Sequence, residues 1–318
     1  MKQDLNLLQV GLAQMAPVWL DRDRTLEKVC SFIENAATKG CELVVFGEAL
    51  VPGYPFWVER TEGARFNSKV QKEMYAHYVE QGVQIEAGHL DGVCQIAKKK
   101  KIAVVLGTVE RAVDRGGHSL YCTLVFIDAE GNIRHTHRKL MPTYDERLVW
   151  SIGDGHGLQV QKLKNFTAGA LNCWENWMPL SRASLYGLGE DLHIALWPGN
   201  VRNTNNITRF IAEEARSYVI SVSGLMRKSD IPSYIPHSDL IMENSEDVMA
   251  DGGSCLSGPD AQWIIEPQSN TEGILTAELD FRKILEERQN FDPAGHYSRP
   301  DVTQLLVSRE RNSIIKNK

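Results

Sequence analysis

The feature that most constrains this chain is an alternation. Short apolar runs of strand character give way, again and again, to segments whose apolar residues recur at helical spacing. "LLQVGLAQ" (7–14) reads as a strand. In "TLEKVCSFIENAATKG" (25–40), Leu26, Val29, Cys30, Ile33 and Ala37 share one helical face, and Gly40 stands where the helix should stop. "CELVVFGEAL" (41–50) follows as a buried strand that runs out at Glu48, and the Pro/Gly-rich "VPGYPFW" (51–57) must be a loop. A second helix is expected around 86–101, then the strand "IAVVLGTV" (102–109) and a hairpin over 120–140 turning at "DAEGN". "FTAGALNC" (166–173) is a short strand, "WMPLSRASLYG" (177–187) a helix, and "HIALWPG" (193–199) a strand and loop. Ile207, Phe210, Ile211 and Ala215 make a helical stripe before the strand "YVISVSGL" (218–225). A second hairpin over 252–267, the strand "EGILTAELD" (272–280) and the helix "FRKILEERQ" (281–289) complete the pattern. Such alternation predicts one α/β domain over residues 1–289, with a more polar, less regular tail over 290–318.

Composition bounds what that domain can be. A chain of 318 residues, 42% hydrophobic and 24% charged, buries a substantial core. Its net charge of −6 leaves no basic surplus for a nucleic-acid partner. The six cysteines (Cys30, Cys41, Cys94, Cys122, Cys173 and Cys255) form no C-x-x-C pair, which argues against a zinc ribbon or a disulfide framework and fits a reducing cytoplasm. The opening "MKQDLNLLQVGLAQ" carries Asp4 early and interrupts its apolar run with Gln9 and Gln14, so it reads as a strand of the fold and not a signal peptide. No apolar stretch approaches the ~20 residues that span a bilayer. A cytoplasmic protein that keeps away from membranes is expected.

Three reactive side chains stand where strands stop, the place where a rigid sheet aims a group and a loop leaves it accessible. Glu48 ends "ELVVFGE". Lys139 ends "IRHTHRK" on the face of Ile133, His135 and His137, and Cys173 ends "FTAGALNC". Taken singly, a Glu or Lys is most often a solvated charge and a Cys a small buried hydrophobe. Taken together they supply a base, a cation and a nucleophile, the set that thiol attack on an sp or sp² carbon needs. A helix starting just after Cys173 would aim N–H groups at the sulfur, lowering the thiol pKa and offering oxyanion donors. Glu146, in "PTYDERLVW", is a fourth candidate, or else an exposed loop carboxylate paired with Arg147. Tyr54, Trp57 and Trp174 flank the reactive positions, as pocket walls or as core aromatics.

These residues lie in three ordered blocks, "FGEALVPGYPFW" (46–57), "HRKLMPTYDERLVWSIGDG" (137–155) and "LNCWENWMPL" (171–180), supported by "ALWPG" (195–199) and "GHYSRPDV" (295–302). Over nearly its whole length the chain resembles the nitrilase branch of the carbon–nitrogen hydrolase superfamily. Amidase-like members usually place an aromatic residue and then Asp after the cysteine, whereas nitrilases place Trp-Glu; "CWE" points to the nitrile-cleaving branch. The resemblance implies a four-layer αββα sandwich that pairs into dimers and often into spirals, the helices after Cys173 and near "ITRFIAEEAR" forming the dimer surface. It implies Glu48 as general base, Lys139 as charge stabiliser, Cys173 as nucleophile and Glu146 as a group that positions substrate or water. His296 matches a position near the active-site entrance or assembly surface. The substrate would be a small-molecule nitrile, with no metal or other cofactor. The 290–318 tail would take part in oligomer contacts; many nitrilases carry a longer one, and self-association as a homodimer or as a higher spiral oligomer both stay open.

Rival readings remain open on the sequence alone. An amidase, a carbamoylase or a cyanide-degrading enzyme would use the same Glu, Lys and Cys. "HTH" (135–137) puts two imidazoles on one strand face, a metal-ligand spacing, with His118 and His156 elsewhere; no H-E-x-x-H pattern accompanies it. A filament-forming scaffold without turnover is the non-enzymatic alternative.

Overall fold

The computed structural model describes residues 5–315; Asp4 and the last three residues of the tail lie outside them. Among the described residues, thirteen strands and eight helices follow one another. The strands are β1 (Leu7–Gln14), β2 (Leu43–Phe46), β3 (Ala103–Arg111), β4 (Leu120–Ile127), β5 (Ile133–Arg138), β6 (Val160–Leu163), β7 (Phe166–Asn172), β8 (Leu192–Trp197), β9 (Tyr218–Ser223), β10 (Leu225–Arg227), β11 (Val248–Ser257), β12 (Trp263–Ser269) and β13 (Gly273–Asp280). The helices are α1 (Arg22–Thr38), α2 (Trp57–Arg60), α3 (Lys69–Glu80), α4 (Asp91–Lys100), α5 (Pro179–Tyr186), α6 (Val201–Ala215), α7 (Ser238–Glu243) and α8 (Phe281–Glu287).

The strands form two sheets. One runs β13-β1-β2-β3-β4-β5; the other runs β10-β11-β9-β8-β7-β6 with β12 added on β11. In each the central three strands are parallel: β1, β2 and β3 in the first, β7, β8 and β9 in the second. Parallel strands buried on both faces read as continuous apolar runs, which is why "LVVF" shows no alternation.

Period-two geometry sorts each strand's residues between two cores. Leu8, Val10, Leu12, Leu43, Val45, Val105 and Phe126 from the first sheet meet Phe166, Leu192, Ile194, Leu196, Ile220 and Val222 from the second. The alternate residues Val44, Phe46, Val104 and Leu106 face outward onto Val29, Ile33 and Ala36 of α1 and Val93 and Ala97 of α4. On the far side Ala195, Trp197 and Val219 pack against Ile207, Ile211 and Ala212 of α6, and Leu171 packs against Leu185 of α5. The layers are therefore helix, sheet, sheet, helix, the αββα sandwich expected from the resemblance.

Local chemistry sets the boundaries. The Asp21 carboxylate accepts from Arg24 N at 3.1 Å and caps α1, and Gly40 sits at φ +80° just beyond its end. In the β4–β5 turn the Asp128 carboxylate accepts from Glu130 N and Asn132 N. Phe210, read as part of the helical stripe of α6, is 48% exposed, because the stripe facing the sheet follows Ile207, Ile211 and Ala215. The tail lies along its own domain: Val307 packs on the Leu158–Leu171–Leu185 cluster, Arg309 Nε donates to Leu158 O at 2.9 Å, and Arg311 pairs with Asp154 at 3.1 Å.

Candidate active site

Three loops leaving β2, β5 and β7 converge at one end of the sandwich. Glu48 stands two residues beyond β2, Lys139 one beyond β5 and Cys173 one beyond β7, so both sheets contribute. The approach of the two sheets is close. Glu48 N donates to Trp197 O at 3.1 Å, and a Cβ on Gly47 would lie 2.9 Å from Gly224 N and 3.0 Å from Trp197 O. Only glycine fits between these backbones.

Lys139 is the hub. Its ammonium lies 2.8 Å from Glu48 Oε1 and 2.7 Å from Glu146 Oε2, and all three side chains are essentially excluded from water. Glu146 sits on a 3-10 turn over Tyr144–Leu148, where its Oε2 also accepts from Thr143 N at 2.6 Å and its Oε1 accepts from the Tyr54 hydroxyl at 2.8 Å. It is buried and unpaired with Arg147, whose Nε donates to Pro142 O; the reading of Glu146 as an exposed loop carboxylate is thus set aside. Glu48 Oε1 accepts a further bond from the Cys122 thiol at 3.4 Å, while its Oε2 is buried without a partner. A carboxylate oxygen of Glu48, one of Glu146 and the Cys173 sulfur all lie within 4.8 Å of one another.

The electrostatics are dominated by burial. Desolvation pushes the Glu48 carboxyl up to about 7, with Lys139 opposing and Glu146 adding to the rise. Burial works against the Lys139 ammonium as well, yet the neighbouring acidic groups of Cys173, Glu48 and Glu146 hold its pKa well above the usual lysine value. The Cys173 thiol is pushed well up by burial and by Glu48. This corrects the expectation of a thiol pKa lowered by a helix starting just after the cysteine. Cys173 instead opens a 3-10 turn (Cys173–Trp177), and α5 begins only at Pro179. The Trp174 N–H does point at the sulfur and favours the thiolate, but desolvation is the larger effect.

Cys173 itself adopts φ +46°, a left-handed conformation that costs a side-chain-bearing residue of order 1–3 kcal/mol. Buried polar groups hold it there. Asn176 Nδ2 donates to Cys173 O at 2.7 Å, Asn176 Oδ1 lies 2.8 Å from His193 Nε2, and Arg182 donates to Asn176 O at 2.7 Å.

The thiol opens onto a cavity of about 880 Å³ whose apolar walls include Tyr54, Phe56, Trp174, Trp177 and Met249. Tyr54 and Trp174 thus stand in the wall of the cavity that Cys173 faces. Trp57 does not: its ring is 1% exposed and meets Tyr78 edge-on at 6.0 Å within the core, so the core reading of this residue holds. The loop turns at "GYPF" and faces Tyr54 and Phe56, not Trp57, toward the cavity. His296 is exposed on the tail beside Tyr297 and is not among the cavity's lining residues, so within one chain it stands apart from the thiol. Sequence reasoning passed over Phe56, Trp177 and Cys122. The first two lie within the quoted motifs, whereas Cys122 reaches Glu48 only through strand pairing.

The two imidazoles of "HTH" have separate partners. His135 lies 3.0 Å from Gln161 and stacks on Phe126, and His137 lies 3.0 Å from Glu175. Among the described residues the one grouping of metal-type ligands is Glu48, Glu146 and Cys173, and the Lys139 ammonium already occupies the space between its carboxylates.

Known proteins with the same pattern give the arrangement its context. The sequence pattern that defines the carbon–nitrogen hydrolase family matches residues 9–289. The chain is 37% identical over 309 residues to a Nitrilase 2 from an unknown prokaryotic organism, covering 96% of this chain and 94% of that one. It is 33% identical to an aliphatic nitrilase of Rhodococcus rhodochrous, covering 97% and 84%. Its fold superposes on a carbon–nitrogen hydrolase from Helicobacter pylori G27 with a TM-score of 0.69 at 19% identity, over 93% of this chain and 96% of that one. A family pattern and relatives that both run almost end to end place this protein in the carbon–nitrogen hydrolase family.

Proposed function

We propose that the protein is a nitrilase that converts an organic nitrile and two waters into the carboxylic acid and ammonia through covalent intermediates on Cys173. The observation that carries this reading is the convergence, at the foot of one cavity, of a thiol, a carboxylate with a free oxygen and an ammonium bridging two carboxylates. The end-to-end similarity to proteins named nitrilases, at 37% and 33% identity, and the "CWE" sequence favour a nitrile over an amide as the group attacked.

Glu48 Oε2 takes the Cys173 proton as the sulfur attacks the nitrile carbon. A resting thiol with a raised pKa suits concerted transfer, since a free thiolate beside Glu48 and Glu146 would be costly. Glu48 then gives that proton to the nitrile nitrogen, so the C≡N bond becomes C=N–H in a thioimidate and Glu48 is left ionised, while Lys139 stabilises the negative charge that develops on nitrogen. Water adds, the tetrahedral carbon expels ammonia, and a thioester remains. Glu48 draws a proton from a second water, which displaces the thiol and releases the acid. Proton transfer from a placed base is worth ~10²–10⁴-fold. Glu146, fixed by Thr143 N and Tyr54, keeps Lys139 in place and positions water or substrate at the cavity floor.

Ammonia release from an aliphatic nitrile, benzonitrile, phenylacetonitrile, free cyanide and phenylacetamide, with EDTA present, tests the reading. Ammonia from a nitrile with the amide inert supports it. Ammonia from the amide alone would move the protein to the amidases, and activity abolished by EDTA would favour a metal-dependent hydrolase.

A second copy of the chain is the partner this reading supplies. Leu180 and Phe210, on α5 and α6, are 68% and 48% exposed, an apolar face fitting the helix-to-helix dimer that the family resemblance implies. The cysteines are all free, in keeping with a reducing cytoplasm, and no helix among the described residues is long and apolar enough to cross a membrane.

A further inference from the structure

Glu175 takes no part in the proton transfers above, yet its side chain is fully buried at the centre of the site's scaffold. Its carboxylate oxygens accept from two backbone N–H groups. Leu140 N donates to Oε1 at 2.7 Å, and Asn172 N donates to Oε2 at 2.9 Å. Leu140 directly follows Lys139, and Asn172 directly precedes Cys173. One carboxylate thus joins the end of β5, in the first sheet, to the end of β7, in the second. His137 Nε2 lies 3.0 and 3.1 Å from the two oxygens and steadies the carboxylate from a third side. His137 Nδ1 is buried without a partner, which fits the tautomer carrying its proton on Nε2.

We propose that Glu175, held by His137, is a positioning residue that fixes the distance between the Cys173 thiol and the Lys139 ammonium by clamping the two strand ends together. This rests on the roles given above to Cys173 and Lys139. The arrangement requires an ionised, acceptor-only group of this length. A carboxamide would turn an N–H₂ toward one of the two backbone N–H donors, and an aspartate, one methylene shorter, would not span both. Burial works against the Glu175 carboxylate, but His137 and the two backbone donors hold its carboxyl below the usual range, so it stays ionised at neutral pH. The same bonds pin the strained turn that carries Cys173.

A bond that only stabilised the fold would lower the melting temperature and leave each folded molecule as active as before. A clamp on the reacting groups predicts a different split. Glu175→Gln should lower kcat about 100-fold, as an ångström of misplacement does, with KM little changed. It should also slow the alkylation of Cys173 by iodoacetamide, followed by mass spectrometry of the Cys173 peptide. His137→Leu should behave likewise, whereas His137→Gln, which keeps an N–H donor near the imidazole Nε2 position, should recover most of the loss. The His137 pair keeps the test open should Glu175→Gln fail to fold. Folded Glu175→Gln and His137→Leu enzymes with wild-type kcat and alkylation rates would overturn the proposal. Alkylation needs no nitrile: if wild type released no ammonia from any nitrile but these variants still slowed Cys173 alkylation, the clamp would stand and the nitrilase reading would fall.

Discussion

At the residue scale, the site stores its reactivity in protons that burial keeps in unusual places. To act as the base proposed above, Glu48 must be ionised, and its carboxyl is pushed up to about 7. The value of kcat/KM should therefore rise with pH through about 7 and level off above it, the apparent value belonging to the Glu48–Lys139–Glu146 cluster as a whole. A profile flat from pH 5 to 9 would contradict the assignment. Stability carries the opposite sign. Between the ordinary carboxyl value of 4.5 and about 7, folded Glu48 retains a proton that the unfolded chain has lost, so this group's contribution to stability falls as pH rises across that window. Lys139→Ala removes the only cation paired with two buried carboxylates in this cluster. It should cost roughly 3–4 kcal/mol in transition-state stabilisation, as loss of an oxyanion donor does, and roughly 3–5 kcal/mol of folding stability. Turnover and urea unfolding of the variant measure the two separately.

At the element scale, the position of each reactive group is decided by how a strand ends. Gly47 lets β2 run within backbone contact of Trp197 and Gly224 on the other sheet. Gly47→Ala forces those backbones apart, so a loss of about 1–3 kcal/mol in stability and a fall in kcat are expected together; a fully active, undestabilised variant would show that the two sheets can separate freely. Much of this was legible in the sequence, because a strand that stops at a reactive residue leaves a local mark: "VVFGE", "HTHRK" and "GALNC" place Glu48, Lys139 and Cys173 by pattern alone. Helix α3 was not, since within it only Met74 and Tyr78 are buried and no apolar stripe forms. Strand β6, four residues long and at a sheet edge, is only partly buried and gave no run to read. Nor could "HTH" disclose that His137 serves Glu175, 38 residues away in sequence, because such a bond exists only once two sheets have packed. The raised thiol pKa was hidden for the same reason: a helix-like turn is local, whereas desolvation depends on the whole fold.

At the scale of the whole molecule, two sheets bury one shared core and leave helices on both outer faces, and the dimer proposed above would form through α5 and α6. Leu180→Asp combined with Phe210→Asp should convert a dimer into a monomer in light scattering; an unchanged mass would place the interface elsewhere. The tail braces the back of the site through Val307, Arg309 and Arg311. Removing residues 307–318 should lower stability by roughly 2–4 kcal/mol, read from thermal or urea unfolding. The proposed reaction turns on one thiol, that of Cys173, and that claim is tested most directly by ammonia release from a nitrile substrate by Cys173→Ala and Cys122→Ala beside the wild type. The account predicts that Cys173→Ala stays folded and loses on the order of 10⁴-fold or more of its turnover, while Cys122→Ala continues to turn over. A Cys173→Ala enzyme that released ammonia at a rate near wild type would contradict it.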